Sequence, residues 1–206
     1  MSYSVEMIRR DEQSTSAWSG GTTTQLAIYP KNSEYKARNF KWRLSSAHVD
    51  IEESTFTSLP EIWRHIMIID GEMKLLHEGH HSILLRPFEQ DSFSGGWTTK
   101  SIGRATDFNL MLGQGCKGGL EAVFAEGESN VGPAANQPDN DIINITDAFY
   151  CASGSVIMSI NKDEAYDLRE GDLLLVNRQK SCVLSDMGTS FRSNGAAVII
   201  RAWISY

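Results

Sequence analysis

Ile69-Asp70-Gly71-Glu72-Met73-Lys74-Leu75-Leu76 has a degenerate second copy in the same chain, Ala152-Ser153-Gly154-Ser155-Val156-Ile157-Met158-Ser159-Ile160. The correspondence continues downstream. Ile83-Leu84-Leu85 is matched by Tyr166-Asp167-Leu168, and Asp91-Ser92-Phe93 by Gly171-Asp172-Leu173-Leu174. Each copy reads as a strand, a turn at Gly, a strand, a turn at Asp and a further strand. The two copies lie about 80 residues apart, the sign of an internal structural repeat.

Outward from these copies, apolar residues seldom recur at the three- and four-residue spacing of a helix. Short alternating runs bounded by Gly, Pro, Asn or Asp dominate, as in antiparallel sheets. Strands are expected near 23–29, 41–49, 64–69, 73–77, 82–85, 91–95 and 108–112. A second set is expected near 123–125, 142–150, 155–160, 164–168, 172–176, 181–184 and 197–204. Residues 127–141, poor in apolar side chains and carrying Pro133 and Pro138, read as a linker loop. The fold class is therefore all-β: two double-stranded β-helix (cupin) jelly rolls, or half-barrels, in one chain, a bicupin. Residues 1–126 would form the N-terminal half and residues 142–206 the C-terminal half, packed with the first as one unit.

Composition narrows the function. With 41% hydrophobic and 22% charged residues the chain can bury a core, so global disorder is not expected. A formal net charge of -7 and scattered basic residues argue against a nucleic-acid partner. No apolar run is long enough for a membrane span, and Met1–Arg10 lacks the apolar stretch of a secretory leader. Cys116, Cys151 and Cys182 are odd in number and widely spaced. That fits a reducing cytoplasm and small buried apolar roles better than a disulfide framework.

A metal-binding cupin needs an HxH pair and a Glu on the strand leading to the Gly turn. Here that strand is Trp63-Arg64-His65-Ile66-Met67-Ile68-Ile69-Asp70, with Arg64 where the carboxylate would stand. A guanidinium repels a divalent cation, so neither a metal of that kind nor another cofactor is expected. Alternation puts Arg64, Ile66 and Ile68 on one face. A buried Arg64 must be paired. Its partner would be a carboxylate of the protein, such as Asp107, or an anionic ligand held by the planar fork. Arg43, on a strand whose inward face the sequence leaves open, poses the same question. Asp107 and Asn109 share a face with Met111, as the lining of a pocket or as the cap of a sheet edge. Thr57 joins the polar candidates, and Phe56 and Trp97 would supply apolar wall.

Other features are expected to carry no chemistry. His77, His80 and His81 flank Glu78-Gly79, which reads as a solvated hairpin tip. Gly113-Gln114-Gly115-Cys116-Lys117-Gly118 matches GxGxxG, but a strand rather than a helix follows, so it reads as a turn. There is no GxSxG elbow, Walker loop or HExxH.

Five segments in order resemble the HutD/Ves family of bacterial proteins. Trp18-Ser19-Gly20-Gly21-Thr22-Thr23-Thr24-Gln25-Leu26-Ala27-Ile28-Tyr29-Pro30 looks like its opening strand, and Phe40-Lys41-Trp42-Arg43-Leu44-Ser45-Ser46-Ala47-His48-Val49 like its WRxSxAxV strand. Phe56-Thr57-Ser58-Leu59-Pro60-Glu61-Ile62-Trp63-Arg64 is similar to FSxFPGxDR. Phe93-Ser94-Gly95-Gly96 and Asp107-Phe108-Asn109-Leu110-Met111 match the FxG and DFNxM elements. Together they cover about residues 17 to 112. The chain departs from the pattern in three places: the family's Asn before the glycines is missing, its Glu after the Thr pair is Gln25, and its Gly-x-Asp before the Arg is Glu61-Ile62-Trp63. The resemblance implies a bicupin of RmlC-like jelly rolls without established catalysis, restraining histidine utilisation by sensing a small carboxylate such as formylglutamate or urocanate.

Three functions are consistent with these residues. The first is a non-enzymatic carboxylate-binding protein using Arg64, Arg43, Thr57, Phe56, Trp97, Asp107 and Asn109. The second is a metal-independent isomerase or epimerase drawing on His48 or His65. The third is an interaction protein in which its own carboxylate pairs Arg64. Cupins commonly dimerise through sheet edges, so a homodimer is possible on any of the three.

Overall fold

The computed structural model describes residues 3–132, 144–161, 164–179, 182 and 189–206. Within them lie seventeen strands and one 3-10 turn, Arg10–Glu12. In chain order the strands are β1 (Tyr3–Ile8), β2 (Ser14–Trp18), β3 (Gly21–Tyr29), β4 (Trp42–Val49), β5 (Glu53–Thr55), β6 (Trp63–Gly71), β7 (Met73–His77), β8 (Ser82–Leu85) and β9 (Gln90–Ser94). There follow β10 (Thr99–Ile102), β11 (Ala105–Leu112), β12 (Lys117–Asn130), β13 (Asn144–Ser153), β14 (Ser155–Ile160), β15 (Glu164–Arg169), β16 (Leu173–Gln179) and β17 (Ser190–Ser205). No helix among the described residues is long and apolar enough to cross a membrane.

The chain divides into two compact units, Gln13–Cys116 and Met1–Glu12 with Lys117–Tyr206. This differs from the expected partition. β1 pairs antiparallel with β16, and β12 runs along β17 from Lys117 to Asn130, so both belong with the C-terminal strands. The apolar-poor stretch starting at Gly127 was expected to be a linker. Its first residues extend β12 instead, because Glu128 and Ser129 find ladder partners in Arg192 and Phe191. The rest of that stretch, like the strand expected at 181–184, falls largely outside the described residues.

The unit Gln13–Cys116 has a six-stranded sheet ordered β2-β3-β4-β11-β6-β9 and a four-stranded sheet ordered β5-β10-β7-β8. The other unit forms one sheet, β1-β16-β13-β17-β14-β15, with β12 added on β17. Period-2 alternation decides which side chains turn inward. On β6, Arg64, Ile66 and Ile68 are buried together, and the two isoleucines join Val49, Met73, Leu75, Leu85, Phe93 and Ala105 in a core. The second unit has its own core around Phe149, Cys151, Met158, Leu174 and Phe191.

The sequence repeat marks a shared backbone device. β6 bulges against β11 between Thr106 and Asp107, leaving Ile69 unpaired. β13 bulges against β17 between Cys151 and Ser153, leaving Ala152 unpaired. Each bulge bends its strand into a turn at a glycine. Gly71 has φ +80° and Gly154 φ +73°. A Cβ would lie 2.4 Å from the Arg104 carbonyl at the first and 2.7 Å from the Ala196 carbonyl at the second, so only glycine fits either turn.

Candidate functional site

The register of the six-stranded sheet lines up the candidate residues in rows. Ile28, Arg43, Met111, Arg64 and Phe93 face one another across β3, β4, β11, β6 and β9. The next row on that face is Gln25, Ser45, Asn109, Ile66 and Asp91, and the one beyond it holds Thr23, Ala47, Asp107 and Ile68. Arg43 thus shares the inward face of Arg64, which settles the orientation that the sequence leaves open.

The two arginines are buried to a similar depth and differ in what they touch. Arg43 is 5% exposed; its Nε donates to Gln25 Oε1 at 3.0 Å and its Nη1 to Ser45 Oγ at 3.0 Å. Its guanidinium also lies 4.5 Å over the Tyr35 ring. Arg64, 7% exposed, sits against two aromatic rings, 4.6 Å from Phe56 and 5.3 Å from Phe93. Its Nε is buried without a hydrogen-bond partner, and no carboxylate among the described residues lies within ion-pair distance. Cation–π contact contributes about 0.5–2 kcal/mol but offers no acceptor for an N–H.

Asp107 and Asn109 complete this face as acceptors. Oδ1 of each is buried without a hydrogen-bond partner. Burial pushes the Asp107 carboxyl up to about 7, against the pull of Arg64 and of the Ala47 amide. The same burial lowers Arg64 to about 10, with Asp107 opposing, so the guanidinium stays charged at neutral pH. Their separation has a geometric origin. Asp107 is four residues along β11 from Met111, which faces Arg64, so the two backbone positions lie about 13 Å apart along the strands. The two side chains still interact electrostatically, but no ion pair forms between them, so the pairing that the sequence offers as one alternative is not made.

Of the sequence candidates, Arg43, Arg64, Asp107 and Asn109 share one face, and Phe56 packs on it. Thr57 is exposed in the segment after β5 and does not join them, because the neighbouring residue Phe56 turns inward. Trp97 packs against the same core as Phe56, and its ring also stacks on His80 at 3.7 Å and meets His77 edge-on at 5.7 Å. His65 faces away from Arg64 and bonds Ser92 at 2.7 Å, while His48 is exposed beside Asp50. Neither imidazole reaches Arg64. Gln25, Ser45 and Tyr35 lie in the site although the candidate set omits them. The signal for Gln25 and Ser45 was the shared parity of their strands with Arg43, visible only once the register is known.

The His77–His81 segment is only in part the solvated tip expected of it. Glu78, Gly79 and His80 are exposed, as a hairpin tip should be, but His77 is buried at 3% exposure. Its Nδ1 lies 2.8 Å from Thr99 Oγ1 and its Nε2 2.9 Å from Asp91 Oδ2. The reason is parity: His77 alternates with Met73 and Leu75, both in the core. His81 Nε2 reaches the same Asp91 oxygen at 3.0 Å. A solvent-facing depression of about 490 Å³, lined by His77, His80, His81, Thr98 and Lys100, opens beside them.

Among solved structures, the chain is similar to a conserved protein of unknown function from Pseudomonas aeruginosa PAO1. The TM-score is 0.78 at 21% identity, covering 98% of this chain and 100% of that one. It is also similar to HutD from Pseudomonas fluorescens SBW25, solved in a formate condition, with TM-score 0.67 at 20% identity over 97% and 98%. Bacillus subtilis oxalate decarboxylase shares the fold at TM-score 0.59 and 8% identity, over 97% of this chain and 76% of that one. At these identities the likeness establishes the cupin fold alone. No curated protein matches the sequence. The HutD family model matches residues 10–192, nearly the whole length. The chain therefore belongs to the HutD family.

Proposed function

We propose that this protein binds a small carboxylate that also carries a hydrogen-bond donor, without catalysing its conversion. One observation carries the reading: Arg64 is a buried cation held by aromatic faces with Nε unpartnered, while Asp107 Oδ1 and Asn109 Oδ1 are buried acceptors without donors. Unmade hydrogen bonds on buried groups cost about 1–3 kcal/mol each, more for charged ones. A carboxylate on Arg64 and an N–H or O–H toward Asp107 and Asn109 would relieve all three. Formylglutamate and urocanate, the ligands that the family resemblance implies, both pair a carboxylate with an N–H.

The departures from the family pattern favour an anion. Gln25 stands where the family has Glu and accepts from Arg43 as a neutral group, so neither arginine gains a carboxylate partner there. The placement of His48 and His65 away from Arg64 leaves the isomerase or epimerase reading without the histidine base it drew on.

The test is a thermal-shift series with formylglutamate, urocanate, glutamate and formate, with and without EDTA. At about a hundred times its Kd a ligand stabilises by roughly 2.7 kcal/mol. The expected result is a rise in Tm with at least one carboxylate, insensitive to EDTA and lost in Arg64→Ala. A shift unchanged in Arg64→Ala, or none with any acid, refutes the assignment. Asp107 and the incoming anion compete for Arg64, so binding takes up a proton, and affinity should fall as pH rises past about 7.

A further inference from the structure

We infer that His77, His81 and Asp91 form a binding site for one divalent transition cation of the zinc class. The three donor atoms lie within 4.8 Å of one another. Two imidazoles and a carboxylate suit a borderline-soft ion such as Zn²⁺ rather than Mg²⁺ or Ca²⁺, which take oxygen cages. The site is distinct from the metal position of the cupin fold, where this chain has Arg64. It is assembled from the β7–β8 hairpin and from β9.

Three features make the cluster a built site rather than a chance grouping of surface histidines. His77 has no exposed side-chain area, and Asp91 only 12%. Thr99 Oγ1 can give its own proton to the Trp97 carbonyl, 3.4 Å away, and accept from His77 Nδ1–H at 2.8 Å. In that tautomer the second ring nitrogen is held by a hydrogen bond and the Nε2 lone pair faces Asp91, as in a metal-binding histidine. The lone pair of Nε2 then points at a carboxylate oxygen 2.9 Å away, where a cation would sit; in the other tautomer Thr99 Oγ1 donates to Nδ1 and Nε2–H donates to Asp91, so the ion takes the place of that proton.

The dimensions are close to those required. Zn–N and Zn–O bonds of about 2.0–2.1 Å place tetrahedral ligands roughly 3.3 Å apart. The His77–Asp91 and His81–Asp91 separations of 2.9 and 3.0 Å therefore need to open by only a few tenths of an ångström. His81, 39% exposed, sits at the end of a hairpin and can give by that amount. With three protein ligands the fourth position would face the depression lined by Thr98 and Lys100, open to water or to an anionic group.

The experiment uses the full chain freed of metal with EDTA and titrated calorimetrically with Zn²⁺, then with Co²⁺ followed by visible absorption. The wild type should bind one Zn²⁺ per chain and give the intense Co²⁺ bands of a four-coordinate site. His81→Ala should weaken binding at least tenfold while its metal-free melting stays at the wild-type value, since His81 is exposed. His80→Ala removes a histidine that stacks on Trp97 but lies outside the ligand set, and should change the affinity less than threefold. No Zn²⁺ uptake by the wild type overturns the site. So does undiminished uptake by His81→Ala, or a loss in His80→Ala as large as in His81→Ala, which would mark ordinary surface chelation.

Discussion

Arg64 and Asp147 occupy the same position in the two copies of the repeat. Each stands seven residues before its turn glycine, Gly71 or Gly154. Each faces the strand after its glycine-turn hairpins, β11 for Arg64 and β17 for Asp147, and faces β9 or β16 on its other side. Their surroundings are opposite. Asp147 takes Arg201 at 2.6 Å and Arg178 at 2.9 Å, and both guanidiniums reach backbone carbonyls as well, Gly132 and Cys182. Arg64 has two rings and a distant Asp107.

The difference lies in row spacing. Across β16, β13 and β17, the row of Asp147 falls between the row of Arg178 and that of Arg201, so each arginine is one step away. Across β4, β11 and β6, both arginines share one row and the carboxyl is two rows off. One unit closes its buried charges into a cluster, and the other keeps them in separate rows. The same scaffold position is paired with its opposite charge in one copy and not in the other.

The comparison breaks most sharply at Asp147. Asp147→Asn leaves Arg178 without a carboxylate and Arg201 with only the half-exposed Glu121, 3.8 Å away, and should cost about 3–5 kcal/mol by chemical denaturation. A loss below about 1 kcal/mol would show that the cluster is not what holds this sheet.

Asp107 gives the next largest effect, and it depends on pH. Its folded pKa, about 7, lies above the ordinary 3.8, so the folded state holds a proton that the unfolded state has released across that window. Stability from this group is present at low pH and is lost as pH rises through about 7. Asp107→Asn lacks that slope. Its stability relative to the wild type should climb by roughly 2–4 kcal/mol between pH 4 and pH 8. Parallel pH profiles for the two proteins would mean that Asp107 is solvated or paired.

Arg64 gives the smallest change in stability. Replacing a buried cation that has no acceptor by an apolar side chain of similar length is neutral or favourable. Arg64→Met should therefore melt within about 1 kcal/mol of the wild type, or above it, while losing the response to carboxylates. A loss of 3 kcal/mol or more would place Arg64 in the class of Asp147 and undo the contrast.

Much of this was written locally. The copies around Gly71 and Gly154 announce a bicupin, because a strand that must bend at a glycine carries that residue in each copy. The alternation Arg64, Ile66, Ile68 points Arg64 inward without any knowledge of its neighbours. The Gly113–Gly118 string ends in a strand, as the residues after it require. Short strands without strong alternation were not legible: β2 is exposed along its whole length, and β5 and β10 hold four residues or fewer. Such segments become strands because a partner offers a ladder, not because their own residues demand one.

The sequence by itself determined the all-β fold, its two-fold repetition, and the presence of an inward arginine where a cupin metal site would need a carboxylate. Only the tertiary structure decided what that arginine meets. Hydrogen-bond register is a relation between strands far apart in the chain, and a shift of two residues would have turned a separated Arg64 and Asp107 into a pair like Asp147 with its arginines. The same relation put His77 under its hairpin and brought Asp91 to it, although the residues around His77 read as a solvated turn.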